Sequence, residues 1–157
     1  MKLHPLLTAV FITGHFYISA QNIPQGTSGT DRIDAHAQRE ALKESSLFSH
    51  LAFTNIGPSI FSGRIVDVDV NPTRPSEMYV AYASGGLWYT NNNATTLTPV
   101  FDKEACMTIG DIAVNWSTGT IWVGTGENNS SRSSYSGVGI YKSTDKGKTW
   151  KHMGLTE

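Results

Sequence analysis

The side chains best suited to binding or catalysis lie in one loop, residues 127–136, and at one arginine upstream of it. Together they offer a carboxylate, two amides, two guanidinium groups and a phenol. These candidate ligand-binding residues are Arg64, Glu127, Asn128, Asn129, Arg132 and Tyr135. Such groups suit hydroxyl-rich or anionic ligands, because guanidinium and amide groups donate hydrogen bonds and carboxylates accept them. The alternative interpretation is a solvated loop in which Arg64 forms an ion pair with Glu127.

Catalysis would depend on Glu127, which is the only candidate catalytic residue in this sequence. Glycoside hydrolysis normally requires two carboxyl groups that flank the scissile bond, and the sequence offers no convincing second carboxylate for that position. Asp67 and Asp111 occupy equivalent places in an internal repeat, which favours a structural role for both. Whether the protein is an enzyme is therefore left open by the sequence.

The composition excludes several classes of protein. The chain has 157 residues, with 12 Lys and Arg against 13 Asp and Glu, so a nucleic-acid partner is not expected. The single cysteine, Cys106, excludes an intramolecular disulfide and a multi-cysteine metal site. No histidine or acidic cluster has metal-ligand spacing, so we predict no metal and no cofactor.

The first 20 residues have the pattern of a secretory signal peptide. Lys2 precedes a short apolar run over residues 6–12, and Ala20 supplies a small residue at the expected cleavage site. The run is shorter than the ~20 residues that a membrane-spanning helix needs. We therefore predict cleavage, a secreted, periplasmic or extracellular location, and no membrane association after cleavage.

A linker and an amphipathic helix follow over residues 21–52. The spacing of Ile33, Ala37 and Ala41 predicts a surface helix over about residues 31–48. Thr30 is the predicted N-cap of this helix.

From residue 53 the pattern becomes alternating, and an internal repeat appears. Residues 65–71 align with residues 109–115 at an offset of 44, and residues 78–81 align with residues 121–124 at an offset of 43. Residues 86–90 align with residues 139–143 at an offset of 53, because the second unit carries the inserted loop. Four short strands in a unit of about 44 residues are typical of a β-propeller blade.

The prediction is thus an all-β chain that forms part of a β-propeller over residues 53–157. A closing strand occupies residues 53–57, and four-stranded antiparallel blades occupy residues 63–101 and 108–155. Since propellers have about 4–8 blades, this propeller is incomplete. The remaining blades of a longer chain, or self-association, would be needed to close the ring.

The hairpin at residues 143–150 carries a motif of the form Ser/Thr-x-Asp-x-Gly-x-x-Trp/Phe, the Asp box. Its pattern residues are Ser143, Asp145, Gly147 and Trp150. The Asp carboxylate is expected to accept backbone N–H bonds across the turn, the Gly to adopt positive φ, and the Trp to pack on the blade. A degenerate copy occupies residues 90–97, where Asn92, Ala94 and Leu97 replace the Asp, Gly and Trp.

With this motif inside a repeat, the chain resembles the exported Asp-box (BNR-repeat) propeller family, which includes sortilin-like and xyloglucanase-like proteins of the glycosyl hydrolase superfamily. The resemblance covers residues 53–157. The segments that carry it are Asn55-Ile56-Gly57-Pro58, Gly63-Arg64-Ile65, Ala83-Ser84-Gly85-Gly86-Leu87-Trp88, Val123-Gly124-Thr125-Gly126-Glu127 and Ile140-Tyr141-Lys142-Ser143-Thr144-Asp145. It implies a structural role for the Asp box and a ligand face on the opposite side, where Arg64 and the 127–136 loop lie.

Three functions remain open from the sequence. The first is an exported propeller that binds a glycan or a peptide on the face of Arg64 and the 127–136 loop. The second is a glycoside hydrolase whose remaining catalytic carboxylate lies in blades outside this chain. The third is a structural or assembly propeller.

Overall fold

The computed structural model describes residues 25–51, 63–128 and 134–156 of the chain. One helix precedes eight β-strands in this part. Their bounds are α1 Gly29–Glu44, β1 Ile65–Val70, β2 Met78–Tyr82, β3 Gly86–Thr90, β4 Thr98–Pro99, β5 Ile109–Asn115, β6 Thr120–Thr125, β7 Ile140–Ser143 and β8 Lys151–His152. The predicted signal peptide and the predicted closing strand at residues 53–57 lie outside the described residues.

The strands form two four-stranded antiparallel sheets, sheet 1 in the order β1-β2-β3-β4 and sheet 2 in the order β5-β6-β7-β8. The fold is therefore mostly β with one N-terminal helix, and no closed propeller is present among the described residues. The first and second strands pair in the same way in both sheets, with a register shift between Ile65 and Asp67 in sheet 1 and between Ile109 and Asp111 in sheet 2. The repeat found in the sequence is thus reproduced residue by residue.

The hydrophobic core lies between the two sheets, which pack face to face. Sheet 1 contributes Tyr79, Ala81 and Leu87, and sheet 2 contributes Ile112 and Val123 among others. Aromatic rings extend this core toward the outer strands, where Phe101 packs edge-on against Tyr141 and Trp150 with ring centroids 5.3 and 5.0 Å apart. Burial of this apolar surface is the main force that holds the sheets together.

Two carboxylates of β1 also bind the backbone of β5. Asp67 Oδ2 accepts a hydrogen bond from the Ile112 amide at 3.2 Å. Asp69 accepts two more, from the Val114 amide at 2.9 Å and from the indole Nε1 of Trp116 at 2.6 Å. Bonds to a charged acceptor are stronger than neutral ones, so these carboxylates fix the register of one sheet on the other.

The helix differs from its prediction in both its bounds and its buried face. It spans 29–44, and its N-cap is Ser28, whose Oγ accepts from the Asp31 amide at 3.1 Å, so the assignment of Thr30 as N-cap was wrong. Ala37 and Ala41 are exposed, and the residues turned toward the sheets are Gly29, Arg32, Ile33 and His36. On this face Ile33 packs against the hydrophobic core, and His36 Nε2 lies 2.8 Å from the Lys103 carbonyl.

The Asp-box hairpin joins β7 to β8. Asp145 Oδ1 accepts from the Lys148 and Thr149 amides at 3.1 and 2.9 Å, and Oδ2 accepts from Thr149 Oγ1 at 2.6 Å. The bonds from Thr149 and Ser143 lower the pKa of Asp145 to about 2, since they stabilise the charged form. Gly147 adopts φ +83°. Asp145 therefore holds the turn together.

The degenerate hairpin between β3 and β4 repeats this geometry with weaker groups. Asn92 Oδ1 accepts from the Thr96 amide at 3.0 Å, as Asp145 does from the Thr149 amide. Ala94 occupies the place of Gly147 and adopts φ 59°, a conformation that costs a residue with a Cβ about 1–2 kcal/mol.

Candidate functional site

Arg64 and Glu127 form an ion pair that links the two sheets. Arg64 directly precedes β1, and its carbonyl accepts from the Ala83 amide at 2.8 Å. Glu127 follows β6 by two residues, and its Oε1 pairs with the Nη2 of Arg64. The Glu127 side chain is only 3% exposed, whereas that of Arg64 is 44% exposed. The guanidinium of Arg64 is thus the partner that is accessible to solvent.

The loop after β6 returns to Glu127 at Tyr135. The Glu127 amide donates to the Tyr135 carbonyl at 2.9 Å, and the Tyr135 amide donates to Glu127 Oε2 at 3.3 Å. Tyr135 is 54% exposed, and Asn128 is exposed as well. The structure therefore brings Arg64, Glu127, Asn128 and Tyr135 together, while Asn129 and Arg132 lie outside the described residues.

Glu127 has a positioning role in this arrangement. One carboxylate oxygen is bound by Arg64 and the other by the Tyr135 amide, so both are engaged within the protein. Removing Arg64 would leave the buried Glu127 carboxylate without its cationic partner, and because Arg64 is 44% exposed, water would replace part of the lost contact. The solvent-exposed groups around Glu127 are accordingly the guanidinium of Arg64 and the phenol of Tyr135.

A further arginine contacts the same loop, and the sequence pattern did not identify it. Arg32, on α1, donates through Nη1 to Ser136 Oγ at 2.7 Å. The Ser136 carbonyl also accepts from Thr108 Oγ1 at 3.1 Å. A cleft of about 520 Å³ lies beside this contact and is bordered by Arg32, Ser136 and the start of α1. Nothing in the sequence pairs positions 32 and 136, because their contact depends on how the helix docks.

The carboxylates of Asp67 and Asp111 approach the same backbone amide. Asp67 Oδ2 and Asp111 Oδ1 accept from Ile112 N at 3.2 and 2.9 Å. A hydrogen bond with Asp67, together with burial, raises the pKa of Asp111, since the protonated acid can donate to its neighbour. Their bonds to a strand backbone favour a role in sheet packing.

Across residues 25–51, 63–128 and 134–156, no three His, Cys, Asp or Glu side chains are grouped so that they could hold a metal ion. In the same ranges, no helix is both long enough and apolar enough to cross a membrane. Comparison of the sequence with protein-family models and with curated proteins found no significant match.

Proposed function

We propose that the two sheets are consecutive blades of an exported β-propeller, and that the rim formed by Arg64, Asn128 and Tyr135 binds a carbohydrate, with a peptide as the alternative ligand. Support for the blades comes from the shared strand order, the shared register shift and the paired hairpins. Support for export comes from the composition of residues 1–20. The observation that carries the binding proposal is the half-exposed Arg64 held by the buried Glu127.

This rim has the two features that a hydroxyl-rich or acidic ligand requires. Glu127 fixes the position of Arg64, so little side-chain freedom is lost when the guanidinium binds a ligand oxygen. The exposed ring of Tyr135 provides an apolar surface with a polar tip. A sugar ring that carries hydroxyl or carboxylate groups can use both.

An array of neutral and uronic-acid-containing glycans, followed by calorimetry on the best binder, tests the proposal. We expect Tyr135→Ala and Arg64→Lys each to weaken binding about tenfold, or about 1.4 kcal/mol, because the first removes the ring surface and the second replaces the planar fork of guanidinium donors with a point charge. Arg39→Lys is the matched control, since Arg39 is 63% exposed on α1 and pairs with Glu40. Wild-type affinity in both rim variants, with native circular dichroism, would refute the proposal, as would the absence of any binder.

The glycoside hydrolase hypothesis receives less support from this geometry, because Arg64 and the Tyr135 amide engage both oxygens of Glu127. Its test is Glu127→Gln in a protein that turns over a substrate. Loss of turnover with retained binding would establish catalysis by Glu127, whereas unchanged turnover would exclude it.

A further inference from the structure

Arg32 differs from the other arginines of the described residues in the groups that it binds. Each of the others forms an ion pair with a glutamate, and these pairs are Arg39–Glu40, Arg64–Glu127 and Arg74–Glu77. Arg32 binds only uncharged oxygens. Its Nε donates to the Ser28 carbonyl at 3.4 Å, and its Nη1 donates to the carbonyl and the Oγ of Ser136 at 3.4 and 2.7 Å. Within residues 25–51, 63–128 and 134–156, its guanidinium therefore has no carboxylate partner.

The helix itself supplies no carboxylate that could face Arg32. Residues three and four positions apart are neighbours on a helix surface, and at these spacings Arg32 has Ser28, Gly29, Ala35 and His36. Arg32 is also half-buried, so water solvates its charge only in part. A partly desolvated charge is most stable beside an opposite charge. Arg32 should therefore bind an anionic group of a ligand in preference to a neutral one.

The cleft of about 520 Å³ beside Arg32 offers further groups to such a ligand. Ser28, Thr125 and Thr156 line it with hydroxyl groups, which both donate and accept hydrogen bonds. Leu155, which is 72% exposed, gives the same cleft an apolar border. The volume far exceeds the ~30 Å³ that one water molecule occupies, so a ring-sized ligand fits there. A sugar unit that carries a carboxylate matches this combination of groups.

The cleft adjoins the rim of the proposed ligand site. Ser136, which binds Arg32, directly follows Tyr135 in the loop. The Tyr135 amide in turn binds Glu127, the partner of Arg64. Since consecutive Cα atoms lie about 3.8 Å apart, a short segment of the loop connects the two guanidinium groups. A ligand of several sugar units is long enough to contact both.

We infer that the cleft at Arg32 is a second subsite of this ligand site, and that it binds the carboxylate of a uronic-acid unit in an acidic oligosaccharide. The hydrogen bonds of Arg32 to described residues use only Nε and Nη1, so Nη2 can donate to the ligand. Guanidinium and carboxylate groups are complementary because they pair through two parallel hydrogen bonds. The inference rests on the proposed carbohydrate rim, and it adds the class of sugar and a length of more than one unit.

Calorimetric titration of the full chain with two sugar hexamers tests the inference. One is the hexamer of galacturonic acid, and the other is the same hexamer with its carboxyl groups reduced to alcohols. Arg32→Gln removes the positive charge from the cleft. Lys43→Gln is the matched control, because it removes one positive charge from the same helix, about 16 Å further along the axis, where Lys43 pairs with Glu40.

The wild type should bind the acidic hexamer at least about tenfold more tightly than the neutral one, because hydrogen bonds between charged groups are stronger than neutral ones. Arg32→Gln should weaken binding of the acidic hexamer about tenfold and change binding of the neutral hexamer by less than about twofold. Lys43→Gln should bind both like wild type. Equal affinity of the wild type for the two hexamers, or wild-type affinity of Arg32→Gln for the acidic one, would overturn the inference.

A second variant separates ligand binding from a structural role of Arg32, since its bond to Ser136 also joins α1 to the loop. Ser136→Ala removes the Oγ acceptor and keeps the guanidinium, so the acidic hexamer should bind within about threefold of wild type. Equal loss of binding in Ser136→Ala and Arg32→Gln would overturn the inference in favour of that structural role.

The same titrations distinguish a failure of this inference from a failure of the rim. Binding of the acidic hexamer that Arg64→Lys weakens and Arg32→Gln does not would overturn the Arg32 subsite and leave the rim supported. If neither hexamer binds, the inference fails, and the glycan array then decides whether the rim fails with it.

Discussion

The bond between Asp69 and Trp116 provides the sharpest test of how the sheets are joined. Asp69 lies on β1, while Trp116 directly follows β5, and the indole Nε1 donates to Asp69 Oδ1 at 2.6 Å. The other oxygen of Asp69 accepts from the Val114 amide at 2.9 Å. The informative perturbation is a double-mutant cycle of Asp69→Asn, which keeps the shape and removes the charge, and Trp116→Phe, which removes the indole donor together with part of the ring that packs on Tyr79. The cycle subtracts the packing loss, because that loss is present with either residue at position 69.

The size of the effect follows from these two bonds. A hydrogen bond to a charged group contributes about 1.5–3 kcal/mol net. Asp69 and Trp116 are both half-buried, so water replaces part of each lost bond. We expect each single variant to lower the free energy of unfolding by about 1–2 kcal/mol, and the coupling energy between the two sites to be about 1 kcal/mol.

Urea unfolding of the full chain, followed by far-ultraviolet circular dichroism, measures all four corners of the cycle. This probe is preferable to tryptophan fluorescence, because one variant removes one of the 4 tryptophans. Asp34→Asn is the control, since Asp34 is exposed on α1 and should change stability by no more than about 0.5 kcal/mol. A coupling energy of zero, with both single variants destabilised, would show that the indole and the carboxylate act independently and would refute this account of the contact.

Three further predictions follow from single positions. Ala94→Gly should stabilise the protein by about 0.5–1 kcal/mol in the same urea assay. Gly removes the steric strain that the Cβ of Ala94 causes at positive φ, although it also raises the entropy of the unfolded chain. A destabilised variant would contradict the assigned strain. Hydrogen bonds from Tyr89 and Asn71 lower the pKa of Glu77 below its ordinary 4.5. The contribution of Glu77 to stability is therefore complete above pH 4.5 and disappears as the pH falls through the lower folded pKa. Glu77→Gln should flatten the acid side of a plot of Tm against pH, and an unchanged acid side would contradict this role. Gly29→Ala should detach the start of α1, since a Cβ there would collide with the Thr156 carbonyl. We expect faster amide hydrogen exchange in α1 and unchanged exchange in the sheets. Unchanged exchange in α1 would refute the contact.

Local sequence patterns were sufficient to predict the strands and the hairpins of the two described sheets. The repeat offsets predicted two four-stranded units, and the structure has two sheets of that kind. Asp145 contacts residues no more than four positions away, so the Ser-x-Asp-x-Gly pattern already contains its partners. Ser28 likewise caps α1 through a residue three positions away, although Thr30 was the predicted cap.

Contacts between distant segments required the tertiary structure. Arg32 and Ser136 are 104 positions apart, and Asp69 and Trp116 are 47 positions apart. No local period encodes such pairs, because they form only when whole sheets and the helix dock.

The same distinction applies to the candidate site. The blade topology inferred from the repeat predicted that Arg64 and Glu127 belong to one face, but the residue types left open a ligand-binding carboxylate and an internal ion pair. Only the packed sheets determine that Glu127 is buried and Arg64 half-exposed, since burial depends on what covers a side chain. The sequence by itself thus determined which polar side chains the candidate site contains and the repeat in which they occur. The packing of one sheet on the other decided which of those side chains face solvent.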